Sequence, residues 1–325
     1  MLDKYEKAGK IAARVRNKAA KKITAGMKVI DLVNWVESEI KSNGAGLSFP
    51  CNISINQIAA HYTSPLDDNT LFCEGDIVKI DLGAEVDGYV SDTAVTVVVE
   101  GDNVEPIDEF GNPLYMPGRL DEGNPIVSEE DIEKRLDIID ASSAALDNVI
   151  CVIKDGVSVN DIGEIVQDTI KEKGFSPIYN LSGHSLEQYK LHAGVSIPNF
   201  PDNGNYILKE GDHIAVEPFA TDGVGFVNDI QQHHIYSYLR TRPLRQEDST
   251  RLLKIIRDDF TYFPFAERHL LDVFDGAKLG EAMEPLISSR SIFPYKVIKE
   301  KNGGMVAQTE HTIIVEKEGC KITTL

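Results

Sequence analysis

Cysteine is scarce in this chain. Cys51, Cys73, Cys151 and Cys320 stand alone among 325 residues, and no two of them form a C-x-x-C pair. That excludes a disulfide-stapled scaffold and points to reduced thiols in a cytoplasmic protein. Long apolar runs are also missing. No stretch approaches the roughly 18 residues of a membrane span, and the first 23 residues lack the apolar core of a signal peptide. Basic residues are in short supply, 33 against 52 acidic ones, for a net charge of −19. A surface so poor in Lys and Arg is unsuited to neutralising phosphates, so no nucleic-acid partner is expected. What is present suits a soluble globular protein: 42% hydrophobic and 26% charged residues, on a chain long enough for a sizeable core.

Apolar spacing predicts amphipathic helices over residues 3–23 and 28–42, the second carrying Val29, Leu32, Val33, Val36 and Ile40 at three- and four-residue intervals before Gly44. A β-rich stretch follows to about residue 99, with strands expected over Ile77–Leu82 and Tyr89–Val99, the latter after an Asp87-Gly88 turn. The order then repeats. Gly26, Asp31, Ile40 and Gly44 recur as Gly156, Asp161, Ile170 and Gly174, each 130 residues on. Asn52-Ile53-Ser54 recurs as Asn180-Leu181-Ser182, and Glu74-Gly75-Asp76…Asp81 as Glu210-Gly211-Asp212…Glu217. Three blocks in one order imply two α/β halves of similar fold in a single catalytic domain spanning 1–325. Such halves often meet at a site. Three segments fall outside the repeat. Residues 100–138 hold 12 acidic and 3 basic residues with four prolines, a composition expected of an acidic surface insertion. Residues 246–290 read as mostly helical, and 291–324 as terminal strands.

Four carboxylates carry the chemistry. Asp81 ends the apolar run Ile77–Ile80, and Asp92 lies eleven residues later across the Asp-Gly turn. Glu217 takes the place of Asp81 in the second half, after Ile214-Ala215-Val216. Glu310 sits in the strand-like run Met305–Val315. Four buried anions require compensating positive charge, and Lys and Arg are sparse in these runs. A pair of divalent metal ions fits, and His184 would add one imidazole. Mostly oxygen donors with one nitrogen suit Mn, Fe, Co or Zn in an open site.

These motifs resemble type 2 methionine aminopeptidases, closest to the archaeal form. The resemblance runs through Ser48–Asn56, Ala59–Tyr62, Lys79–Gly83, Ser91–Ala94, Gly183-His184, Leu191–Gly194, Ala215–Thr221 and Ala307–His311. It implies an α/β (α+β) pita-bread fold of two pseudo-symmetric halves, with a helical subdomain inserted near 246–290. It also implies two divalent metal ions held by Asp81, Asp92, His184, Glu217 and Glu310, with Asp92 and Glu310 bridging them. Glu217 would move the proton, and His61 and His192 would contact the substrate or the tetrahedral intermediate. Phe49, Leu191 and Tyr295 would line the methionine side-chain pocket. The implied reaction is removal of the initiator methionine from nascent polypeptide N-termini when the second residue is small, by a metal-bridged hydroxide attacking the scissile carbonyl. The chain is expected to act as a monomer, away from membranes.

Two rivals share the fold. A proline-specific aminopeptidase or dipeptidase would usually carry a further domain before the first aspartate, and only 80 residues precede Asp81 here. A metal-free binding protein of the proliferation-associated type would have lost ligands, and all five are present. Two departures from the family pattern remain, the long acidic insertion and Lys296 where a proline usually follows the pocket tyrosine. His213, His233, His234, His269 and His311 are read as structural or surface residues, and Cys51 as an inert thiol.

Overall fold

The computed structural model describes residues 2–100 and 127–325. The first half consists of helices α1 (Leu2–Ala20) and α2 (Val29–Ser42), then strands β1 (Gly46–Leu47), β2 (Asn52–Ile55), β3 (Ile58–Ala60), β4 (Ile77–Val86) and β5 (Tyr89–Val98). The second half opens with α3 (Glu129–Ile150) and α4 (Val159–Glu172). It continues through β6 (Ser176–Pro177), β7 (Ser182–Ser185), β8 (Ser196–Pro198), β9 (His213–Val216), β10 (Phe219–Thr221) and the long β11 (Val227–Tyr238). Next come α5 (Glu247–Asp259), β12 (Phe265–Ala266), a 3-10 turn (Glu267–Leu270) and α6 (Gly276–Ser288). Strands β13 (Ile292–Glu300), β14 (Val306–Gln308), β15 (His311–Glu316) and β16 (Gly319–Ile322) close the chain.

The repeat in the sequence is a repeat in hydrogen bonding. Gly26 donates to Phe72 O and Gly156 to Leu208 O, and Val29 and Val159 donate in the same way to Thr70 and Tyr206. The paired glycines 26 and 156, 44 and 174, and 75 and 211 all have φ between 77° and 92°, a region open to glycine at no steric cost. Asp76 accepts from the amide of Cys73, and Asp212 from that of Lys209, both at 2.8 Å. Strand β4 pairs antiparallel with β2 and β5, as β9 pairs with β7 and β15. The last equivalence is not visible in residue identities. Val99 bonds Asp76 and Gly75 as Val315 bonds Asp212 and Gly211, so β5 and β15 correspond at an offset of 216 residues. That offset equates Ala94 with Glu310, and these two exchange backbone bonds with each other, at 3.3 and 3.1 Å. Mutual pairing of equivalent residues marks a pseudo-two-fold axis. Around it, the Thr96 hydroxyl bonds the backbone of Gln308 and the Thr312 hydroxyl bonds that of Asp92, a second reciprocal pair. This is the pita-bread arrangement, with one apolar core under each half.

Several boundaries differ from the expected ones. Strand β4 runs on to Val86, so Asp81 lies mid-strand. Residues 129–138 of the acidic segment form the first turns of α3. The Ser128 hydroxyl and Asp131 carboxylate make a capping box there, and acidic residues suit the positive end of a helix. Residues 101–126 of that segment lie outside the described residues. The segment 246–290 contains α5 and α6 but also β12 and the 3-10 turn. Its apolar faces meet in a separate core that includes Leu252, Ile256, Phe265, Leu270, Leu279 and Leu286, resting on Tyr236 of β11.

One buried ion pair ties this insertion to the first half. The Arg268 guanidinium and the His269 Nε2, the latter at 2.8 Å, both meet the Glu37 carboxylate on α2, which also accepts from the Cys51 amide at 3.1 Å. Burial by itself would raise the Glu37 carboxyl, but His269 and Arg268 outweigh it and hold it at about 2. A depressed carboxylate stabilises the fold above its unfolded value, near 4.3, and that contribution disappears as pH falls towards 2. Arg268→Ala should therefore cost on the order of 3–5 kcal/mol, since it leaves a buried charge short of a partner. Chemical unfolding between pH 7 and pH 3 should show the native protein losing stability relative to Glu37→Gln as pH falls. An equal pH slope in both proteins would remove Glu37 from this role.

Candidate metal centre and substrate pocket

Strand alternation places the carboxylates. In the β4–β5 ladder Asp81 faces Ala94 and Gly83 faces Asp92, so the two aspartates are diagonal neighbours on one face of the sheet. In the other half His184 on β7 pairs with Ala215 on β9, which pairs with Thr312 on β15. Glu217 and Glu310 each lie two residues from a member of that row and project on the same side. The Ala94–Glu310 bridge then brings the two faces together across the axis.

Asp92, His184 and Glu310 offer ligand atoms within 4.8 Å of one another, with the His184 Nε2 at 3.5 Å from an Asp92 oxygen. Asp81 and Glu217 line the same pocket. All ten residues singled out in the sequence line it: these five with Phe49, His61, Leu191, His192 and Tyr295. The sequence reading missed Asn52, Ala60, Ile235 and Pro264, which also face it, and Gln308. The Gln308 amide donates to Glu217 at 3.1 Å and to Glu310 at 3.4 Å. By the offset of 216 it is the counterpart of Asp92. That equivalence rests on backbone bonds, so no residue identity in the sequence pointed to Gln308.

The electrostatics are those of a cation site. Burial, and then repulsion from Asp92, holds the Asp81 carboxyl well above the usual range. Burial pushes Asp92 up to about 7. Burial followed by Asp92 and the other acids raises Glu217 and Glu310. Burial pushes His184 down to about 4. Among the described residues no Lys or Arg pairs with any of the four acids. One oxygen each of Asp81, Asp92 and Glu310, and the Nδ1 of His184, are buried without a hydrogen-bond partner. Such atoms are costly unless something binds them. Carboxylate oxygens with one neutral imidazole are the donor set of a divalent transition metal, so the residues fit the ions expected here.

Beside the acids the pocket turns apolar. Phe49 and Leu191 pack with Val90, Leu186 and Ala215, and Phe263 from the insertion covers them. The His192 ring lies at the rim, 4.2 Å from that of His184. The His61 ring meets the edge of Tyr295 at 5.7 Å, and its Nδ1 faces the Lys296 carbonyl at 3.3 Å. The remaining histidines have other partners. His311 meets Thr324, His233 meets Tyr236, and His213 stacks on Tyr5.

Metallopeptidase family M24 matches this chain over residues 3–317. The chain is 44% identical to a methionine aminopeptidase of Methanothermobacter thermautotrophicus, over 100% of this chain and 99% of that one. It is 42% identical to one of Thermococcus kodakarensis, over 98% and 97%. Among solved structures, a thermophilic Arx1 superposes with a TM-score of 0.79 at 19% identity, over 99% of this chain and 90% of that one. Methionine aminopeptidase from Thermotoga maritima superposes with a TM-score of 0.63 at 22% identity, over 99% and 95%. By the extent of these matches, the chain belongs to the M24 metallopeptidases.

Proposed function

We propose that this protein is a methionine aminopeptidase that releases the initiator methionine from new polypeptides when the second residue is small. The observation that carries this reading is a pocket in which a buried donor set with unpartnered oxygens adjoins an apolar recess, in a chain similar over its whole length to proteins of that name. Asp81, Asp92, His184, Glu217 and Glu310 would hold two divalent ions. When bound, the ions supply Lewis acidity that polarises the scissile carbonyl and makes water acidic enough to react near neutral pH.

The protein's own groups do the rest. Gln308 holds one oxygen of Glu217, leaving the other to take a proton and pass it to the leaving amine. Burial keeps His61 uncharged, its pKa pushed down to about 4. The carbonyl of Lys296 can only accept, so the neutral ring carries its proton on Nδ1. The His61 Nε2 is then an acceptor, suited to the amide N–H of the second substrate residue. His192, whose ring is 4.2 Å from that of His184, would donate to the oxygen that gains charge. Phe49, Leu191 and Tyr295 supply the apolar and aromatic lining that a long thioether side chain favours. The enzyme would work on nascent chains as a cytoplasmic monomer, consistent with its unbridged thiols.

Chelation should abolish hydrolysis of Met-Ala-Ser, and Mn, Co or Fe should restore it. Full activity in a sample shown to be metal-free would sink the dinuclear reading. Saturating metal should also raise the melting temperature, by the equivalent of about 2.7 kcal/mol at a hundredfold excess over Kd. Glu310→Gln should lose most of that gain, and an equal shift in both proteins would show that Glu310 binds no ion. A peptide series should show cleavage before Ala, Gly, Ser, Thr, Val, Pro or Cys and little before Lys, Leu or Phe. Phe49→Ala should reduce methionine discrimination by about 1–3 kcal/mol. His61→Ala should lower turnover with both ions retained, and loss of metal with that ring would reassign it.

A further inference from the structure

The loop between β7 and β8 brings Leu191 and His192 to the pocket. Its apex is a tight turn in which Glu187 and Lys190 bond each other's backbones at 3.1 and 3.0 Å. Tyr189, the third residue of that turn, has φ 61°, a left-handed conformation that glycine or asparagine adopts more readily. Its ring lies against Gly88, where an added Cβ would come within 2.5 Å of the ring. The Tyr189 amide donates to Gly88 O at 2.7 Å, and the Gln188 side chain to Asp87 O at 2.9 Å. The ring also meets Tyr262, with centroids 4.6 Å apart and planes tilted by 39°, and approaches Phe263 at 6.3 Å.

Three separate parts of the chain meet on this ring. The Asp87-Gly88 turn belongs to the hairpin that bears Asp81 and Asp92. Tyr189 belongs to the loop that bears Leu191 and His192. Tyr262 and Phe263 belong to the insertion, one residue before Pro264 enters the pocket. Tyr189 is 39% and Tyr262 61% exposed, so burial of apolar area is a weak reason for a strained tyrosine at this turn. Holding the three parts in register is a stronger one.

We propose that Tyr189 is a positioning residue for Leu191 and His192, and that the insertion acts on the pocket by clamping this ring with Tyr262 and Phe263. The kinetic part of this inference rests on the aminopeptidase reading, and the structural part does not. Tyr189→Asn keeps a residue tolerant of the left-handed backbone and removes only the ring. Hydrogen exchange should then be about tenfold faster at the Ala193 and Val195 amides, which bond Ser185, because the loop opens locally more often. Tyr262→Ala should give the same result, and Tyr189→Phe should not. The ratio of kcat/KM for Met-Ala-Ser over Leu-Ala-Ser should fall roughly fivefold in the first two variants and hold in the third, as expected if one wall of the pocket shifts. The double variant should be no worse than either single one, because the two rings share one contact. Native exchange rates in the loop, a uniform rise across the whole chain, or additive losses in the double variant would each overturn the proposal. If the native protein does not cleave Met-Ala-Ser, the aminopeptidase reading fails and the exchange rates still decide this one.

Discussion

Repulsion among four buried carboxylates is the constraint around which this molecule is arranged. Asp81, Asp92, Glu217 and Glu310 gather where two halves of the chain meet, and no lysine or arginine among the described residues pairs with them. Such a cluster keeps its charge only with a cation present, because moving even one carboxylate out of water is costly. The fold supplies rigidity to match. Each acid lies on or beside a strand, and the strands are locked by reciprocal threonine bonds across the pseudo-two-fold axis. A loop-borne set could relax apart under its own repulsion, whereas this one is held for the ions.

The two halves are alike in backbone but not in the residues they place at the axis. Where one half puts Asp92, the other puts Gln308, a donor that orients Glu217 and Glu310. A symmetric site would have added a fifth acid at that point. The amide instead lowers the local negative charge and donates to one oxygen of Glu217. The helical insertion breaks the symmetry further. It has its own core and is joined to the first half by the Glu37–Arg268–His269 pair. Through Phe263 and Pro264 it becomes a wall of a pocket that neither half could close.

Much of this was legible in the sequence, and the reasons differ by element. Helix α2 was readable because Val29, Leu32, Val33, Val36 and Ile40 follow the helical period, and all five are buried. The repeated turns were readable because glycine at positive φ leaves few substitutes, so Gly26, Gly75, Gly156 and Gly211 persist where the strands around them have diverged. Four of the proposed ligands, Asp81, Asp92, Glu217 and Glu310, were identifiable as acids inside apolar runs, an arrangement that strands tolerate only for a purpose. The match of β5 to β15 was hidden, because that equivalence is kept by backbone bonds and not by side-chain identity. The first turns of α3 fell inside the acidic segment 100–138 because they are themselves acidic, as a capped helix start and a solvated loop both can be.

Beyond what the family resemblance implied for the histidines and the apolar lining, the sequence by itself determined that the chain has two similar α/β halves and that four acids stand in apolar runs. Those facts reside in local periodicity, in turn chemistry and in the cost of burying charge, all of which act within a few residues of the site they describe. Only the tertiary structure decided that Ala94 and Glu310 lie on the axis, that Gln308 faces Glu217, and that Tyr189 is clasped between the hairpin and the insertion. These contacts join residues up to 216 positions apart, and no local preference of either partner specifies the other.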